Sequence, residues 1–93
     1  MIKVKRFGAT WCAPCKVMAL ALPKVIENFS DVEYAQFDVE KDNFDADKYS
    51  FTSIPYISIE DGDGVVVKSF TGVKSLTEMS SMLLELGATL RPV

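Results

Sequence analysis

The 93-residue sequence has no histidine and only two cysteines. Without an imidazole there is no Cys–His catalytic pair, because nothing stands ready to take the thiol's proton. The same shortage argues against zinc. A closed site needs four ligands, and Cys12-Ala13-Pro14-Cys15 supplies half of one with no third cysteine to continue it. Cations are not in excess either: 10 Lys and Arg face 13 Asp and Glu, for a formal net charge of -3. Such a chain has no bulk attraction for phosphate backbones or anionic lipid, so neither nucleic acid nor membrane is an expected partner. Nowhere do the roughly 18 consecutive apolar residues of a membrane span occur. The opening MIKVKRF alternates apolar and basic residues and is no secretory h-region. Repeats, linkers and low-complexity tracts are also missing. A cytoplasmic location and a monomer are the expectations that remain.

What is present is ordinary globular composition, 48% hydrophobic and 25% charged, which predicts one compact domain over residues 1–93. Ile2 to Phe7 alternates and ends at Gly8, the pattern of a strand running into a tight loop. From Pro14 onward, Val17, Met18, Ala21, Leu22, Val25, Ile26 and Phe29 recur at helical spacing. Pro23 lies inside that helix and removes a main-chain donor, which predicts a kink there rather than a break. Val32 to Val39 is rich in β-branched and aromatic residues and forms a second strand. The strand, helix, strand order is a right-handed crossover with parallel strands. Glu40 to Ser50 is an acidic loop with room for a short helix. Tyr56–Glu60 and Val65–Phe70 flank Asp61-Gly62-Asp63-Gly64, a hairpin signal. Ser75 and Glu78 have capping-box spacing before a helix whose stripe is Leu76, Met79, Leu83 and Leu86, ending at Gly87. The order is β-α-β-(α)-β-β-α, an α/β sandwich of two or three layers.

The two cysteines carry the chemistry. As a staple, a four-residue loop contributes only about 2 kcal/mol by the chain-entropy argument, a poor reason for a disulfide. Positions i and i+3 of a helical turn share a face, at a separation that a disulfide tolerates. Cys12 at the helix start has unpaired N–H groups and the positive dipole end beside it, which favour thiolate, so it is the nucleophile. It attacks a target disulfide; Cys15 then resolves the mixed disulfide. Pro14 suits the first helical turn and stiffens the loop between the sulfurs. Lys16 either adds positive potential near them or is a solvated lysine. Trp11 shields the pair and contacts substrate, or packs half-exposed. Asp38, Glu40, Asp42, Asp45 and Asp47 lack the glycine and closing glutamate of a calcium loop and read as a solvated acidic face. Met18, Met79 and Met82 fit core stripes.

The run Phe7-Gly8-Ala9-Thr10-Trp11-Cys12-Ala13-Pro14-Cys15-Lys16 resembles the active-site stretch of the thioredoxin family, W-C-G-P-C-K preceded by F-x-A. Ile54-Pro55 resembles the family's cis-proline element, and Gly72 the glycine beside its groove. The likeness extends from residue 2 to residue 87. It implies a thioredoxin-like fold with a central four-stranded mixed β-sheet flanked by helices. It also implies a protein-disulfide reductase without bound cofactor, fed by a thioredoxin-reductase-like donor and serving disulfide-containing targets such as a ribonucleotide reductase. By the same likeness Trp11, Ala13, Pro14, Ile54, Pro55 and Gly72 border the bound target.

Departures from the family pattern are informative. The first strand and helix of full-length thioredoxins have no counterpart here, as in the minimal, glutaredoxin-sized version. Arg6 stands where the family buries an acid behind the cysteines, and Gln36 matches that acid's lysine neighbour. By strand alternation Arg6 shares a face with Ile2 and Val4. Its guanidinium either approaches the motif from below, favouring thiolate and raising the reduction potential, or reaches water past the strand end. Ala13 replaces a glycine and stiffens the turn. Tyr56, after the proline, reads as core. Two other functions stay open: a glutaredoxin-like, glutathione-coupled oxidoreductase, and an accessory binding subunit with incidental cysteines.

Overall fold

The computed structural model describes residues 1–92. Alternating apolar residues give β1 (Ile2–Gly8), and the apolar stripe after the cysteine motif gives α1 (Ala13–Ile26). β2 (Val32–Asp38), β3 (Tyr56–Glu60), β4 (Val66–Thr71) and α2 (Leu76–Glu85) follow. The sheet order is β2-β1-β3-β4. β1 runs parallel to β2 and antiparallel to β3, and β3 antiparallel to β4, so the sheet is mixed. β1 and β3 lie in the middle, and all five residues of β3 are buried.

Register decides which side chains meet the helices. Val4 lies opposite Ile59, and Arg6 opposite Ile57, so these four share a face. Val4, Ile57 and Ile59 pack there against Met18, Leu22, Val25 and Ile26 of α1 and Met79, Met82 and Leu83 of α2. Both helices therefore cover the same side of the sheet. The opposite face carries Phe7 and Tyr56, and residues 39–51 cover it with Phe44, Tyr49 and Phe51. Phe7 is fully buried at the centre of five rings, with centroids 4.8–5.7 Å away. The choice between two and three layers thus resolves to two layers of regular structure and an irregular aromatic cover.

Several expectations are corrected. No helix forms between β2 and β3 among the described residues. The aspartates there bond to nearby main chain instead: Asp38 accepts from the Glu40 N–H, and Asp45 from those of Asp47 and Lys48. Such local bonds offer the backbone an alternative to a helical ladder. α1 runs through Pro23 without a break and stops at Ile26, so Phe29 reaches the core from beyond the helix, in a bridge with Leu90. Leu76 is exposed, and Met82 takes its place on the buried stripe of α2. The expected capping box is complete, with Ser75 accepting from the Glu78 N–H and Glu78 from the Ser75 N–H. Tyr56 is core, as its strand position predicts.

Candidate functional site: the Cys12–Cys15 pair

β1 ends at Gly8, and the chain turns over Ala9 to Trp11 before α1 begins, with the Cys12 N–H donating to the Ala9 carbonyl at 3.2 Å. Cys12 is the N-cap of α1, in extended conformation with φ -91° and ψ 107°. Its sulfur takes the place of the usual capping oxygen and accepts the Cys15 N–H at 3.3 Å. An unpaired helix donor is thereby aimed at the sulfur, the arrangement that favours a thiolate. The structure holds the two cysteines as a disulfide with Cα atoms 5.2 Å apart. Pro14 lies in the first turn, where its missing N–H leaves no bond unmade. Cys12 retains 6% exposure against 1% for Cys15. A reagent from solvent therefore meets Cys12 first.

The Ile54-Pro55 peptide bond is cis. Ile54 packs against Ala9, Cys12 and Cys15 together with Val39, and its carbonyl oxygen lies 3.9 Å from the Cys12 sulfur. Gly72, at φ +84°, donates its N–H to the Pro55 carbonyl at 2.9 Å. Of the three residues singled out for a groove, Ile54 thus lies beside Cys12, and Gly72 is bonded to Pro55, the residue that follows Ile54. Trp11 is 68% exposed, and its indole N–H donates to Glu40 at 2.8 Å. That bond holds the ring outside the core, next to exposed Ala13 and Pro14. Lys16 is exposed on the following turn.

Arg6 does approach the cysteines. Its Nε donates to the Tyr34 hydroxyl at 2.9 Å and its Nη2 to Gln36 Oε1 at 2.8 Å, which fixes the guanidinium across β2. Gly8, Tyr34 and Glu40 are the site residues that sequence reasoning passed over. The glycine next to a cysteine motif is a signal of close approach. The other two are polar residues whose partners are more than 25 positions away, and no local pattern marks them.

A sequence model of the family described as Thioredoxin matches residues 2–85. A thioredoxin from Streptomyces clavuligerus is 34% identical over 68 residues, covering 73% of this chain and 63% of its own length. One from Bacillus subtilis is 35% identical over 69 residues, covering 73% and 65%. The chain therefore spans less than two thirds of the length of these two relatives. A solved mutant thioredoxin from Halobacterium salinarum superposes with a TM-score of 0.79 over 98% of this chain and 78% of its own, at 24% identity, which is a likeness of fold. The family match opens on the first residue of β1 and closes on the last of α2, and the chain belongs to the thioredoxin family.

Proposed function

We propose that the protein is a thiol–disulfide oxidoreductase that reduces disulfides in other proteins. Cys12 is the nucleophile and Cys15 the resolving thiol. The observation that carries this reading is the pairing of a capping sulfur at the start of α1 with a partner sulfur buried behind it. The Cys12 thiolate attacks one sulfur of a target disulfide, forming a mixed disulfide and releasing the other target sulfur as thiolate. Cys15 then attacks the Cys12 sulfur, which closes the internal disulfide and frees the reduced target. Two electrons from a reductase partner restore the dithiol.

Trp11, Ala13, Pro14, Ile54, Pro55 and Gly72 form the surface that receives the target peptide. The exposure of the first three, the contact of Ile54 with Cys12 and the bond from Gly72 to Pro55 support this. A thioredoxin-reductase-like donor and a cytoplasmic setting belong to the same reading, as does a ribonucleotide reductase among the targets. No helix among the described residues is long and apolar enough to cross a membrane.

The test is reduction of insulin disulfides with NADPH and a thioredoxin reductase as electron source. Turnover that disappears in Cys12→Ser supports the proposal. Turnover with glutathione as sole reductant, and none with the reductase, makes the protein glutaredoxin-like instead. Cellular function kept by both Cys12→Ser and Cys15→Ser makes the cysteines incidental.

A further inference from the structure

Cys15 is 1% exposed, yet it lines a cavity of about 410 Å³ together with Arg6, Gly8, Lys16, Asp38 and Asp42. Gly8 leaves the space between cation and sulfur open. A Cβ at that position would stand 2.9 Å from Arg6 Nη1 and 3.0 Å from Cys15 Sγ. Guanidinium and sulfur thus converge on one point, within the range of about 4–6 Å over which an opposite charge favours an ionised group. The partners that hold Arg6, Tyr34 and Gln36, are uncharged. Among the described residues no carboxylate forms an ion pair with it. Its positive charge is therefore not neutralised by an ion pair.

We propose that Arg6 is a positioning residue for the resolving step, stabilising the Cys15 thiolate once the pair is reduced. The proposal rests on the reading of Cys12 and Cys15 as a redox couple. In the mixed disulfide the Cys15 thiol gives its proton to solvent that the cavity admits. The Cys15 thiolate then attacks Cys12 Sγ. The Cys12–Cys15 bond forms, the bond from Cys12 to the target sulfur breaks, and the target leaves as thiolate with the electron pair. Arg6 accepts no proton and stays charged throughout.

The other charges on the cavity are weaker influences. Lys16 of α1 is exposed and screened. The Asp38 and Asp42 carboxylates, at the end of β2 and just after it, are turned to the N–H groups of Glu40 and Asp38 at 2.9 and 2.7 Å. Ile54, which packs on the cysteines from before β3, is uncharged.

The experiment titrates the Cys15 thiol by ultraviolet thiolate absorbance in the full chain carrying Cys12→Ser. Arg6→Gln, checked for folding by circular dichroism, is expected to raise the Cys15 pKa by about one unit or more. Arg6→Met, which removes the charge and keeps an unbranched stem on the strand, moves it the same way and carries the test if Arg6→Gln does not fold. With both cysteines present, and at a pH well above the Cys15 pKa of both proteins, Arg6→Gln shifts the equilibrium with glutathione about tenfold toward the disulfide for each unit of pKa change, or about 30 mV. A Cys15 pKa unchanged by either folded variant overturns the proposal. Because the titration needs no turnover, a chain that fails to reduce insulin still answers it, so the two failures are distinguishable.

Discussion

Cys12 caps a helix with the atom proposed as the nucleophile, so the local fold and the proposed chemistry share one hydrogen bond, from the Cys15 N–H. Loss of the two sulfurs has different consequences. Cys12→Ser abolishes attack on targets. Cys15→Ser leaves attack intact and stops resolution, so incubation with a disulfide-bonded protein is expected to accumulate a mixed disulfide, visible as a reducible band on a non-reducing gel. Gly72 is needed for another reason. At φ +84° it lies in the left-handed region, and a Cβ there meets nothing within 4 Å, so the cost of a side chain is backbone strain alone. Gly72→Ala is expected to lower stability by about 1–2 kcal/mol in chemical denaturation. At this scale the motif was legible because the spacing of two cysteines is itself the chemistry. The placement of Arg6 was half legible: strand alternation gave its face, but its direction depends on Tyr34 and Gln36 of a neighbouring strand and on the missing Gly8 side chain.

Elements were legible where a period repeats. β3 and α2 lie where alternation, the Asp-Gly turn and the Ser75 capping box put them. Ser75→Ala is expected to cost about 1 kcal/mol, read as a lower denaturation midpoint, because the Glu78 N–H loses its acceptor. The segment between β2 and β3 was not legible. Its aspartates bond to their own turns, and its aromatic residues follow no period because they answer to the face of the sheet beneath them. Phe7 is the apolar contact that binds this cover to β1, beside the Lys5 Nζ bond to the Tyr49 hydroxyl at 2.7 Å. Phe7→Ala removes the ring on which Phe37, Phe44, Tyr49, Phe51 and Tyr56 converge. The expected loss is about 3–5 kcal/mol in thermal or chemical unfolding, among the largest for a single substitution in this chain.

Across the whole molecule, one buried carboxylate ties the aromatic cover to the sheet. Glu60 is 2% exposed. It accepts from the Tyr49 hydroxyl at 2.5 Å and from Ser58 at 3.2 Å, and it pairs with Lys48 at 3.1 Å and Lys5 at 3.4 Å. Burial by itself opposes ionisation. The hydrogen bonds from Tyr49 and Lys48 and the charges of Lys5 and Lys48 together outweigh it, so the Glu60 pKa lies below the ordinary 4.5. A folded-state pKa below the unfolded one contributes stability that is present above the unfolded value and is lost as pH falls through the folded value. Denaturant titrations from neutral pH down to about pH 3 should show wild type losing stability through this window. Glu60→Gln is expected to be less stable at neutral pH, with a difference that narrows toward the acid end. Equal slopes in the two proteins would remove Glu60 from the account of acid sensitivity.

The sheet order also bears on how the chain is made. β1 is synthesised before β3, yet Lys3 pairs with Glu60, so the central strand waits for most of the chain before its second neighbour exists. Until residues 54–60 leave the ribosome, β1 has one open edge and Cys12 and Cys15 have no Ile54-Pro55 over them. A nascent chain stalled before that point lacks the Ile54 contact that covers both cysteines in the finished fold.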